Sequence, residues 1–186
     1  MKLLKNPLIA VLLTIIIVLS STVISTSVKL NNKCDAVIDG FYEGRLQQGI
    51  VYTSLYADIC SMYELASEVA LVAENYGVNT TELNKSISEL KEELSYRNTD
   101  ISDIYADYTW FYSSLRAVEI ELSGIGLSQR HMEYMTAVSQ QIAQLKSSID
   151  NSSYNESVRT FYKKFDRFPV NIFADLFDVE YPEYFA

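Results

Sequence analysis

The sequence predicts an all-α protein: an N-terminal transmembrane helix, an antiparallel up-down bundle of four long helices, and a short C-terminal helix. Three observations lead there. Residues 7–28 (PLIAVLLTIIIVLSSTVISTSV) carry no charge over 22 positions. Beyond them, apolar residues recur at helical 3-4 spacing in one segment after another. The 3 prolines stand at 7, 169 and 182, so none interrupts the span between the first two. The expected divisions are an N-terminal cap at 1–6, an anchor at 7–29, a bundle at 30–168, and a short helix with an aromatic tail at 169–186 packed on the bundle.

The anchor comes first. At about 1.5 Å per residue, a helix over 7–28 reaches roughly 33 Å and matches a hydrocarbon core of about 30 Å. Lys2 and Lys5 precede it, and Lys29 and Lys33 follow. A cleaved signal peptide is the competing reading, because the most apolar part, Leu8 to Leu19, has the length of a signal h-region. The length of the whole uncharged run favours a retained single-pass anchor. The leading lysines favour a cytoplasmic N-terminus and an extracytoplasmic bundle. Asn31-Asn32-Lys33 before Cys34 is not a lipobox.

Four apolar stripes then follow. Leu55, Ile59, Met62, Ala66, Val69 and Val72 form the first, within a helix read over 31–76. Leu83, Ile87, Leu90 and Leu94 form the second, in a helix over 79–96. Ile101, Ile104, Tyr108, Phe111, Leu115, Val118 and Leu122 form an uninterrupted seam in a helix over 100–123. Met132, Met135, Val138, Ile142, Leu145 and Ile149 form the fourth, in a helix over 127–168 that kinks or restarts at Asp150–Ser153, where the phase slips. Gly77 is placed to end a helix in the left-handed conformation. Asn79 with Glu82, Asn98-Thr99-Asp100, and Ser128 mark the starts that follow. Short connections make successive helices antiparallel neighbours.

The end of the chain reads YNESVRTFYKKFDRFPVNIFADLFDVEYPEYFA. A helix with Val158, Phe161, Phe165 and Phe168 on one stripe stops at Pro169, and a short apolar segment and an aromatic tail follow. Tyr154-Asn155, Phe168-Pro169 with Asn171, Ala174 and Phe177 in the apolar segment, and Tyr184-Phe185 at the close resemble the C-terminal signature of the LemA family. That family consists of small bacterial helical proteins with one N-terminal membrane segment and no established catalytic activity. The resemblance covers Tyr154–Ala186 and implies the same antiparallel bundle. The stretch after the anchor lacks the Arg-Arg and Asp-Leu-Ile-Pro-Asn-Leu run associated with many members.

Charge and composition exclude several functions. All 24 acidic residues and 12 of the 15 basic ones lie after residue 30, a net charge of −12 on residues 31–186 that repels nucleic acid and anionic headgroups. The 2 cysteines, Cys34 and Cys60, are no disulfide framework. On one continuous helix they stand roughly 39 Å apart, far beyond the 7 Å or so a disulfide spans. Only a fold-back near Gly40, Gly44 and Gly49 would bring them together, and a Cys34–Cys34 link between two copies stays open. The single histidine, His131, rules out multi-histidine zinc and paired Glu-x-x-His di-iron sites. No phosphate loop and no Gly-x-Ser-x-Gly elbow occurs. Glu92 and Glu93 point about 100° apart on a helix, and Asp100 and Asp103 suit a helix start. Four Asn-x-Ser/Thr sequons, at Asn79, Asn84, Asn151 and Asn155, read as chance matches.

The expectation is therefore a non-catalytic interaction or scaffold module at the bacterial cell envelope. It takes no cofactor and no metal. Its partners are the lipid bilayer through residues 7–29 and an envelope protein, and a homo-oligomer is compatible with the sequence. The candidate contact surface is the C-terminal clasp together with aromatics at the margins of the stripes: Tyr52, Tyr56, Tyr63, Tyr105, Trp110 and Tyr112. The alternatives are a sensor-type domain binding a small ligand between helices, for which Tyr108 is the one polar-tipped seam residue, and an enzyme, for which no residues are at hand.

Overall fold

The computed structural model describes residues 7–47, 50–97, 99–167, 170, 172 and 179–186. The expectations placed on residues 1–6, Gly49, Asn98, Phe168, Pro169, Asn171, Ala174 and Phe177 lie outside the described residues. The fold is all-helical apart from one small hairpin. In order it runs α1 (Pro7–Glu43), β1 (Arg45–Gln47), β2 (Ile50–Tyr52), α2 (Leu55–Asn75), α3 (Thr81–Ser95), α4 (Ile101–Ser123), α5 (Gln129–Asp150) and α6 (Tyr154–Phe165).

One of the expected helices differs, and another restarts where a kink or restart was expected. The helix read over 31–76 is two helices separated by the hairpin, in which Arg45 pairs with Tyr52, Leu46 with Val51 and Gln47 with Ile50. Gly44 takes φ +72°, a conformation that costs other residues about 1–2 kcal/mol, and ends α1. The Ile50-Val51-Tyr52-Thr53 run beyond is β-branched or aromatic, which suits a strand. Ser54 then starts α2, its hydroxyl accepting from the Ala57 amide at 3.0 Å. The helix read over 127–168 restarts at Asn151–Ser153, where polar residues end α5 and α6 begins.

The chain forms two compact units. The first joins residues 1–38 with 157–182. In it α1 is long and apolar enough, by length and composition, to cross a membrane. Its side chains from Val11 to Val18, with Ile24 and Val28, are exposed, Ile17 at 66%. Ser21, Thr22 and Thr26 donate their hydroxyls to carbonyls three or four residues back in the same helix. Further along α1 the pattern reverses, and Leu30, Cys34 and Val37 are buried on one stripe. On α6 Val158 and Phe161 are buried, and Phe161 packs edge-on against Tyr181 at 5.1 Å.

The second unit joins residues 39–156 with 183–186 and holds the bundle. There α3 packs on α4, α2 on α5, and α2 also touches α3 and α4. Every residue of the α4 seam is buried, as are the α3 stripe and the α2 stripe. Met132 departs from its stripe: at the first turn of α5 it is 54% exposed, while Met135, Val138, Ile142 and Ile149 are buried. The α2–α3 corner ends as expected at Gly77, φ +76°. The Val78 amide reaches Ala73 O and the Gly77 amide reaches Glu74 O, a Schellman closure. The start of α3 differs from the expected capping box. Thr80 stands at the N-cap, Asn79 Oδ1 accepts from the Thr81 amide, and Glu74 rather than Glu82 holds the corner by accepting from Thr80 Oγ1 at 2.7 Å and Asn84 Nδ2 at 3.1 Å.

A Cβ on Gly77 would meet nothing within 4 Å, so only the backbone resists substitution there. Gly77→Ala should therefore lower the unfolding free energy by about 1 kcal/mol, with Gly77→Asn recovering most of it. Urea midpoints of the three proteins check this, and an unchanged Gly77→Ala midpoint would contradict it.

Candidate functional site

The residues of the C-terminal motif come together in part. Tyr154 and Asn155 open α6. The Asn155 amide grips the backbone of Phe185 from both sides, Nδ2 donating to Phe185 O and Oδ1 accepting from the Phe185 amide, each at 2.9 Å. Tyr154 Oη donates to Glu183 O at 2.9 Å. Glu183 Oε2 accepts from the Ser102 amide at 3.0 Å, serving the start of α4, where the Asp100 side chain makes no capping bond. The Phe185 ring is buried against Phe41, Tyr105 and Tyr108, with centroids 5.8, 5.0 and 5.5 Å away. Tyr154, Asn155 and Phe185 thus fasten the chain end to the bundle. Tyr184 stays 38% exposed. Phe168, Pro169, Asn171, Ala174 and Phe177 are outside the described residues.

At the same end of the bundle lies a cavity of about 170 Å³. Gly40, Gly44, Thr53 and Leu55 line one side, and Ser148 and Asn151 to Tyr154 the other, with Asp58 between them. Asp58 is 8% exposed. Its Oδ2 accepts from Thr53 Oγ1 at 3.1 Å and from Ser148 Oγ at 2.6 Å, tying α2 to α5. Sequence reasoning passed over Asp58. The signal was present, since Leu55-x-x-Asp58-Ile59-x-x-Met62 sets a carboxylate on the apolar stripe of α2. The Ser148 partner, 90 residues on, has no such mark.

A second concavity lies at the opposite end of the bundle. It is a cleft of about 490 Å³ between the end of α4 and the start of α5, lined by Leu122, Leu127, Met132, Met135 and Ala143 with Glu119 and Ser139 at its polar edge. Ser139 Oγ donates to Glu119 Oε1 at 3.1 Å across it. Ile120 is 64% exposed on the neighbouring face of α4.

The other singled-out residues have mostly structural duties. His131 lies in the first turn of α5, its amide donating to the Ser128 hydroxyl, and its Nδ1 pairs with Tyr76 Oη at 2.8 Å. Tyr76 Oη also accepts from the Ser128 amide at 3.0 Å, which pulls the phenol below its usual range. Tyr105 packs on Phe185, Tyr112 stacks on Tyr108, and Tyr42 meets Tyr56 at 5.6 Å. Lysines cover other rings, Lys91 over Tyr63 at 4.7 Å and Lys85 over Trp110 at 5.3 Å. These aromatics are therefore used largely within the chain. The Tyr108 hydroxyl is buried without a hydrogen-bond partner among the described residues, and burial first, then Asp150, pushes its acidity down, yet Tyr108 does not line the Asp58 cavity. Asp107 is raised by burial first and then by Glu93, Glu89 and Asp103. Among the described residues no group of three His, Cys, Asp or Glu is placed to hold a metal ion.

Cys34 and Cys60 are both free, so the hairpin does not lead to a disulfide. Burial pushes the Cys34 thiol up to about 11, with Asp35 adding to it. At pH 8 roughly one Cys34 in a thousand is then thiolate, the form that reacts. Iodoacetamide should modify half-buried Cys60 in the folded protein and reach Cys34 only after unfolding. Peptide mass spectrometry reads the order, and equal labelling rates would contradict the burial of Cys34.

Compared with family models, curated proteins and solved structures, the chain matches none.

Proposed function

We propose that this chain is a single-pass membrane protein resembling the LemA family, whose helical bundle serves as a non-catalytic interaction or scaffold module at the bacterial cell envelope, outside the cytoplasm. The membrane part rests on α1, where exposed apolar side chains crowd residues 11–28. The observation that carries the interaction role is the α4–α5 cleft. Met132 and Ile120 are exposed and Leu127 is half-buried beside the cleft, and a flexible methionine suits a surface that receives the apolar face of a partner helix. The C-terminal clasp, offered by the sequence as a contact surface, is better read as a fastener, because Phe185 is spent inside the bundle.

Site-specific photo-cross-linking in cells tests the reading. A cross-linker at position 132 should trap a discrete envelope protein, one at exposed Glu64 should not, and Ile120→Glu should abolish the adduct. The same products from both positions would remove the cleft as a docking surface.

A second reading, a sensor-type domain that binds a small ligand between helices, is favoured by the Asp58 cavity. Its polar groups converge from α2, from the end of α5 and from the turn into α6, and pockets between bundle helices are common ligand sites.

A further inference from the structure

We propose that the Asp58 cavity binds a small organic cation with a primary ammonium group, a step that rests on the ligand-binding reading above and names its chemistry. The cavity is about 170 Å³, close to engineered cavities of about 150 Å³ that take up benzene, so a ligand of that size fits. Asp58 supplies the sign. It is 92% buried, being 8% exposed, and its two hydrogen bonds, from Thr53 and Ser148, both fall on Oδ2. Oδ1 accepts from no described residue. Carboxylates this buried are ordinarily matched by a cation.

The rest of the lining says which cation. Beyond Asp58 the described lining offers hydroxyls and one carboxamide, at Thr53, Ser148, Asn151 and Ser152, and no second carboxylate. Divalent metals call for several carboxylate or carbonyl oxygens, and one carboxylate with neutral hydroxyls is a poor set for them. An ammonium group instead carries three N–H donors, one for Asp58 Oδ1 and the others for neutral oxygens. Leu55 and the two glycines leave an apolar side for the ligand's carbon skeleton.

The test uses the full chain in mild detergent, with ethanolamine as the probe at a pH where it is protonated. Calorimetry should give saturable binding, and the thermal midpoint should rise with ethanolamine concentration. Asp58→Asn should weaken binding at least tenfold. Asn84→Ala removes a hydrogen bond at the α2–α3 corner, away from the cavity lining, so it should keep binding within about threefold; this guards against mistaking a folding defect for a lost ligand contact. Binding undiminished in Asp58→Asn, no binding of ethanolamine, or stabilisation by magnesium or calcium alone would each overturn the proposal. Ethylene glycol or acetate binding saturably in place of the amine would overturn the ammonium assignment while leaving the ligand-binding reading intact. No saturable binding of any of these probes would count against both.

Discussion

Phe185→Ala is expected to destabilise the bundle by about 3–5 kcal/mol, the usual cost of emptying a well-packed aromatic site. The ring is buried and meets Phe41 from the end of α1 and Tyr105 and Tyr108 from α4, so it joins segments far apart in sequence. Tyr154 packs on Phe41 from another side, which limits how far that ring can shift into the gap. A domain of this size has about 5–15 kcal/mol of stability in all, so the loss is a large share. Asn155→Leu probes the same fastener differently. It leaves the Phe185 amide and carbonyl without their 2.9 Å partners, and each unsatisfied buried group costs about 1–3 kcal/mol. The two substitutions act on one contact and should be far from additive in the double variant. Urea unfolding of the full chain in detergent, followed by far-ultraviolet circular dichroism, measures all three. If Phe185→Ala unfolds at the parent midpoint, the chain end does not hold the bundle.

How far the sequence could be read depends on where the information sits. The α4 seam was legible because helix period and burial are the same local fact, and every seam residue from Ile101 to Leu122 is buried. Gly77 was legible because one residue type answers one backbone demand. The hairpin was not. Its residues lie between two helical stripes, and a run of eight positions is too short to display a period against them. Met132 was assigned to a stripe it continues in sequence but leaves in space, since the first turn of α5 overhangs the cleft. The motif residues Tyr154, Asn155 and Phe185 were visible as a pattern. That Asn155 holds Phe185 across 30 residues is a tertiary fact no spacing rule supplies. Asp58 lies between these cases: the acid on an apolar stripe could be seen, and the cavity beside it could not.

Arginine at both Ile16 and Ile17 is expected to release the protein from the membrane. These residues sit mid-way along the uncharged run and are 49% and 66% exposed. Each arginine near the centre of a spanning helix costs about 2.5–3.5 kcal/mol of insertion free energy, so the pair costs about 5–7 kcal/mol, or a factor of roughly 10⁴ in partition. No other described segment is both long and apolar enough to compensate. The parent chain should stay in the membrane fraction after alkaline extraction of cells, and the double variant should move to the soluble fraction or be degraded. Gln at Glu64 and Glu68, on the exposed side of α2, changes charge equally outside the anchor and should leave the distribution alone. The N-terminus of the purified parent separates the two readings of the segment. A chain beginning near Met1 retains its anchor, whereas one beginning near Thr26 has lost it to a signal peptidase. In the second case the protein would be released whatever stood at 16 and 17, and a bundle free in solution would have to meet its partner without the two-dimensional confinement that an anchor provides.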